Sequence, residues 1–248
     1  MIAETQLPFG KVATSFFAGA ARSLYRAAVL FPNLIEVLDT EPHDAALNMA
    51  IDEALLQRAE QPTLRVYRWR NRAVSFGYFG KIAEVERVAA DREIVRRWTG
   101  GGMVEHGDDL TYTLVVPRTA ALFRVSASES YRMIHEAIAR VLLRDGRGVS
   151  VAPVAAGKVS NACFANPVQY DLVAEGEKMA GAAQRRTRWG LLHQGSIQMA
   201  AWPEPLGKRL AETFGEKVTS LNLSAETLDS ARELSAKKYA ATAWLRKY

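Results

Sequence analysis

The chain has 248 residues, 48% of them hydrophobic and 24% charged, a composition that excludes a disordered or collagen-like protein. Its 32 Lys and Arg against 27 Asp and Glu leave a formal charge of +5, which suits an acidic partner. The cations at Arg65, Arg68, Arg70, Arg72 and again at Arg185, Arg186 and Arg188 form no dense stripe and match no recognised module, so no nucleic-acid partner is expected. The single cysteine, Cys163, cannot close an internal disulfide, and His43, His106, His135 and His193 show no metal-ligand spacing. A reducing, cytoplasmic setting is expected. No apolar run reaches the ~18 residues of a membrane span; the best stretch, 13–31, is interrupted by Arg22 and Arg26.

Residues 1–33 lack a clear period and read as an N-terminal extension of no assigned role. Asp44 then caps a helix in which Leu47, Ile51, Ala54 and Leu55 recur at helical spacing, with Asn48, Asp52 and Gln57 as its polar face. Leu64–Trp69 and Ala73–Phe76, separated by Arg70, Asn71 and Arg72, predict a hairpin. A short charged helix over Glu84–Arg92 precedes a strand from Ile94 to Trp98, which runs into Gly100, Gly101 and Gly102. Leu110–Val116 is rich in β-branched and aromatic residues and is closed by Pro117. Ser126 with Glu129 predicts a capping box for a helix striped by Tyr131, Ile134, Ile138, Val141 and Leu142. Strands are predicted at Val149–Val154, Tyr170–Ala174, Lys178–Gln184 and Leu191–Met199, with helix from Pro203 onward and Leu228, Ala231, Leu234 and Tyr239 as its buried face. The expected class is α+β, a mixed, largely antiparallel sheet with helices packed mainly on one side.

Three groups of residues could carry chemistry. In Arg96–His106, three glycines after a strand permit positive φ and close backbone approach to a ligand, and Arg96 and Arg97 supply charge for a phosphate or carboxylate. The bland alternative is a tight turn beside a solvated face. Cys163 lies in what reads as a loop. A lone cysteine is more often a small buried hydrophobe, but an ammonium nearby would favour the thiolate that attacks an acyl group. Lys178 would ordinarily be a solvated strand end, yet Ala180, Gly181, Ala182 and Ala183 leave a face without bulk, open to an alkyl chain or flat ligand. His193, Gly195 and Ser196 on the next strand would line the same pocket.

Together and in this order, LDTEPHDAALNMAIDEALL (38–56), RRWTGGGMVEH (96–106), YDLVAEGEKMAGAAQRR (170–186) and LLHQGSI (191–197) resemble the lipoate protein ligase and octanoyltransferase family, relatives of the biotin protein ligases. The resemblance covers about Leu34 to the C-terminus and implies a catalytic domain over 34–248 that ends in helices. It implies an acyl chain in a tunnel beside the glycine loop. Arg97, Thr99, Gly100, Gly101, Gly102, Met103, Val104, His106, Gly181, Ala182, Ala183, His193 and Gly195 would bind it, and Lys178 would contact the acyl carbonyl. The segment ACFANPVQYDLV looks like the cysteine loop of octanoyltransferases, which makes Cys163 the nucleophile and the amides around Gly181 and Ala182 oxyanion donors. On this branch no cofactor is needed. Acyl carrier protein is the donor, and the glycine cleavage H protein or another lipoyl-domain protein is the acceptor. The other branch, an ATP-dependent lipoate ligase working through an acyl adenylate with ATP and Mg, keeps its place because Gly102 stands where cysteine-type transferases usually carry an arginine. A non-catalytic acyl binder would leave both Cys163 and Lys178 without a task.

Overall fold

The computed structural model describes residues 29–154, 167–199 and 205–248. Its first strand, β1 (Phe31–Leu38), begins three residues before Leu34, and Phe31 is in the core. Asp44 caps α1 (Ala45–Arg58) by accepting the Leu47 N–H at 2.8 Å. There follow β2 (Thr63–Tyr67), β3 (Ala73–Phe76), α2 (Ile82–Ala89), β4 (Glu93–Arg96), β5 (Val104–His106) and β6 (Leu110–Pro117). A short helix α3 (Ala121–Arg124) leads to α4 (Ala127–Arg144), whose cap Ser126 accepts the Glu129 N–H at 3.1 Å. Strands β7 (Ser150–Val151), β8 (Leu172–Ala174), β9 (Glu177–Arg186) and β10 (Gly190–Ile197) precede α5 (Leu206–Phe214), β11 (Gly215–Asn222), α6 (Ala225–Leu234), a wide helical turn at Ser235–Tyr239 and α7 (Thr242–Leu245).

Eight strands form one sheet in the order β11-β1-β2-β6-β10-β9-β8-β7, and β4-β3-β5 form a second. In the large sheet β1 runs parallel to β11 and β2, and every other pairing is antiparallel, the mixed, mostly antiparallel α+β arrangement expected. Alternation along the strands divides the contacts between its two faces. Leu110, Tyr112, Leu114 and Val116 of β6 join α4 and α5 in one core, whereas Thr113 and Val115 turn toward α1. Helices therefore cover both faces, with α6 and Tyr239 packing behind α1.

Several local expectations change. Leu64–Trp69 and Ala73–Phe76 do not pair as a hairpin: β2 joins the large sheet and β3 the small one, because Tyr67 and Phe76 fill different cores. The expected faces of α1 hold for Ile51, Ala54 and the exposed Gln57, but Asn48 and Asp52 are fully buried while Leu47 and Leu55 are only partly so. Periodicity assigns polar residues to solvent, but these meet a buried partner, Arg65 of β2. The strand expected over Val149–Val154 shrinks to two residues. The C-terminal region contains strand β11, whose sequence GEKVTSLN is mostly exposed along a sheet edge and so carries little hydrophobic signal.

Candidate active site

A cavity with about 400 Å³ of atom-free space, its mouth included, lies between β9, β10 and the glycine loop that follows β4. One wall is small: Gly181, Ala182, Ala183 and Gly195 from the β9–β10 pair. The opposite wall is Gly101, Arg97, Val104 and His106, and Met49, Tyr67 and Trp69 close the end beneath α1.

The glycine loop is braced from inside. Arg97 donates to the carbonyls of Gly100 at 3.0 Å and Gly102 at 2.9 Å, and to Ser75 Oγ at 2.7 Å. Arg96, fully buried, donates to the carbonyls of Tyr78, Gly80, Trp244 and Leu245. The expectation that this pair faces an anion is thus corrected: their forked donors go to backbone carbonyls and, for Arg97, also to the Ser75 hydroxyl, a set that a planar guanidinium fits well. Gly101 has φ +90, left-handed backbone that glycine adopts without cost. Beneath it, a Cβ on Gly77 would collide with the carbonyls of Gly100 and Gly101, so two backbones are stacked in contact there. Thr99 is fully buried and donates to Gln194 Oε1 at 2.8 Å, and Met103 packs on the small-sheet core.

His106 forms part of a buried polar array. Its Nδ1 lies 2.8 Å from Asp109 Oδ2, its Nε2 2.6 Å from Ser75 Oγ, and its ring stacks on Trp69 at 4.1 Å. Burial alone would raise the Asp109 carboxyl, but His106, Ser196 and Thr111 hold it below the usual carboxylate range. A second array lies under α1. Arg65 donates to Asp52 Oδ1 at 2.6 Å and pairs with Asp39 at 2.7 Å. Asp52 Oδ2 accepts from Thr113 and Gln194, both at 2.7 Å. Burial opposes the Arg65 charge, and Asp52 and Asp39 more than offset it, so its pKa is raised.

Lys178 does not line the cavity. It is buried at the outer side of β9, with Nζ 2.7 Å from Asp171 Oδ2, and a Cβ on Gly181 would run into its Cε and Nζ. The ammonium is therefore separated from the cavity only by a glycine. Cys163 lies in 155–166, outside the described residues. Among the described residues on either side of it, Ala152 N–H donates to Asp171 O and Tyr170 N–H to Ala152 O, both at 2.8 Å, so Ala152 lies beside Asp171, the partner of Lys178. His193, expected in the pocket, points to the opposite face of β10, 3.0 Å from both Tyr112 Oη and Gln184 Nε2. Burial, then His135, drives its pKa well below that of a free histidine. The residues that sequence reading did not single out are Asp171, Tyr131, Gln194, Ser75 and Asp109. Asp171 stands inside a quoted motif, and Tyr131 inside a helical stripe where it reads as an ordinary core aromatic.

A family profile, the lipoyl protein ligase A/B catalytic domain, matches residues 44–237. The chain is similar to octanoyltransferase LipM of Oceanobacillus iheyensis, 37% identical over 75% of each chain. It is also similar to octanoyltransferase LipM of Bacillus subtilis, 31% identical over 79% of this chain and 81% of that one. Its fold resembles a bipartite lipoate protein ligase of Thermoplasma acidophilum, TM-score 0.66 at 20% identity over 87% of this chain and 96% of the other. A lipoate-protein ligase A solved with ATP gives TM-score 0.70 at 21% identity over 86% and 98%. With the profile spanning the glycine loop, the lysine strand and the small-walled cavity, the chain belongs to the lipoyl protein ligase A/B catalytic domain family.

Proposed function

We propose that this protein is an octanoyltransferase of protein lipoylation, which moves a medium acyl chain from the thioester of acyl carrier protein to Cys163 and then to a lysine of a lipoyl-domain protein, such as the glycine cleavage H protein. The similarity to octanoyltransferases over three quarters of the chain supports the reaction class. The observation that carries the cysteine route is the stem of the 155–166 segment, tied by Ala152 to the backbone of Asp171, whose side chain holds Lys178. Ala152, three residues before the segment, thus sits beside Asp171, which supports a cysteine acting together with Lys178, itself one glycine from the cavity wall.

In this scheme the Cys163 thiolate attacks the acyl carbon, the bond from that carbon to the carrier sulfur breaks, and the carrier thiol leaves with a proton. The amine of the acceptor lysine then attacks the enzyme thioester, losing its proton as the cysteine leaves. The first step exchanges one thioester for another and the second makes an amide, so no nucleotide and no cofactor is required. Lys178 supplies positive charge beside the carbonyl, where developing negative charge is stabilised most in a water-poor site. The apolar chain lies between the glycine loop and Gly181–Ala183. The net charge of +5 favours acidic donor and acceptor proteins. Among the described residues no helix is long and apolar enough to cross a membrane, and a cytoplasmic location fits the carrier-protein donor.

The test is intact mass after mixing with octanoyl acyl carrier protein in the absence of ATP. A hydroxylamine-labile gain of one octanoyl group in the wild type, absent in Cys163→Ala, is the expected result. No adduct in either protein, with a lipoyl domain modified only when ATP, Mg and free octanoate or lipoate are supplied, overturns the reading in favour of an ATP-dependent ligase.

A further inference from the structure

Strand β8 pairs with β9 only from Glu177 to Ala180, so the outer edge of β9 is uncovered from Gly181 onward. An edge N–H against an apolar cavity needs another acceptor. Ala182 N–H finds it in Tyr131 of α4, at 2.9 Å from Oη. The Tyr131 hydroxyl has one proton to give. It lies 2.5 Å from Asp171 Oδ1 and 3.3 Å from the Ala182 carbonyl, so the carboxylate takes it. Asp171 Oδ2 receives Lys178 Nζ and the Val168 N–H, each at 2.7 Å. Asp171 and Lys178 are buried and Tyr131 is half-buried, so the bonds meet at a site of low water content, where each is stronger and each vacancy dearer than in water.

We propose that Tyr131 is a positioning residue that registers the Lys178 ammonium against the acyl cavity, through Asp171 on one side and the Ala182 amide of the cavity wall on the other. This rests on the reading of Lys178 as the group beside the acyl carbonyl. It also replaces one expectation: the Ala182 amide is already donated to a phenol and is not an oxyanion donor. The ring of Tyr131 packs against His135 with centroids 4.1 Å apart, a contact that phenylalanine keeps. Removing the hydroxyl therefore takes away two hydrogen bonds and leaves the packing. Asp171 loses its donor from α4 and is free to turn with the lysine it holds, and a displacement of about 1 Å at a reacting group costs on the order of 10²-fold in rate.

The experiment compares wild type with Tyr131→Phe by two readouts. The first labels lysines with an acetyl N-hydroxysuccinimide ester and follows each by peptide mass spectrometry, with no substrate present. Lys178 is expected to label at least about fivefold faster in the variant while the other lysines keep their rates, since a loosened buried lysine samples solvent more often. The second is single-turnover octanoyl transfer, expected to slow at least about tenfold with the half-saturating donor concentration within about threefold, as befits a group that acts in the transition state. Unchanged Lys178 labelling overturns the positioning role, as does faster labelling with an unchanged transfer rate. If the wild type itself transfers nothing, the proposed function fails and the labelling result alone decides the positioning. Should Tyr131→Phe not fold, 4-fluorophenylalanine at 131 fills the space of the hydroxyl without its proton and is read by the same two assays, with the same overturning results.

Discussion

His135 makes the fold acid-sensitive by an amount that can be worked out. It sits on α4 under the sheet, fully buried, with Nδ1 2.7 Å from the Tyr170 carbonyl and Nε2 without a hydrogen-bond partner among the described residues. Burial pushes its pKa from 6.5 down to about 4, Lys178 adds to that, and Asp171 and the Tyr170 carbonyl only partly oppose it. The unfolded chain thus takes up the proton near pH 6.5 and the folded chain only near pH 4. The stability that the neutral ring permits is complete above pH 6.5 and is lost as the pH falls toward 4. Between pH 7 and pH 5 the linkage amounts to about 2 kcal/mol for this residue. His193 shifts in the same direction, so its loss on acidification has the same sign. Asp109 is held low, so its stabilising ionisation is retained down to its ordinary range near pH 4 and leaves this window to the histidines. His135→Asn removes the titration and keeps an N–H for the Tyr170 carbonyl. At about 2–4 °C per kcal/mol for a chain of this size, the wild-type melting temperature should fall by about 4–8 °C more than that of His135→Asn between pH 7 and pH 5. Parallel melting profiles for the two proteins would refute the neutral, buried histidine.

Three more outcomes follow from the geometry. Gly77→Ala drives a Cβ into the carbonyls of Gly100 and Gly101, so the glycine loop must move off its Arg97 braces; overpacking of this kind costs about 1–3 kcal/mol, and calorimetric binding of an octanoyl thioester should weaken at least tenfold. Binding at wild-type strength would show that the loop is not the cavity wall. Asp52→Asn leaves the fully buried Arg65 with Asp39 as its only carboxylate among the described residues and should lower the urea unfolding free energy by about 3–5 kcal/mol. Lys178→Met leaves the buried Asp171 charge with only the Tyr131 hydroxyl and the Val168 N–H among the described residues and should cost a similar amount, which adding Asp171→Asn restores without restoring octanoyl transfer. Recovery of transfer in that double variant would remove Lys178 from the chemistry.

What could be read from the residues alone was whatever depends on short-range pattern. The caps at Asp44 and Ser126 and the strands at Leu110–Pro117 and Gly190–Ile197 need only local spacing and β-branched content. The small face at Gly181–Ala183 announced a close approach because absence of bulk is visible in sequence. The role of Asn48 and Asp52 was hidden, since a helical period cannot distinguish a polar face turned to water from one turned to a buried arginine 13 to 17 residues away. Arg96 and Arg97 misled for the same reason: charge predicts an anion, and only the fold shows a set of loop carbonyls within reach. Tyr131 and Asp171 are 40 residues apart, and nothing in either segment signals the other.

The arrangement of polar groups explains how a cavity with so little bulk on its walls keeps its shape. On the face toward α1, the Asp52 array holds Gln194, and Gln194 holds Thr99 at the base of the glycine loop. On the opposite face and edge, Tyr131 holds Ala182 and, through Asp171, Lys178. The two anchors reach adjacent strands, β10 and β9, whose Gly195–Ala182 pair forms the wall between them. Alanine and glycine cannot set a wall by side-chain packing, so its position must come from the backbone and from groups bonded to it. Hydrogen bonds with narrow distance and angle limits do this where dispersion contacts would leave slack. A substitution that loosens either anchor should therefore alter the cavity before it unfolds the sheet, which is why paired measurements of ligand affinity and melting temperature, rather than either alone, separate the site from the scaffold.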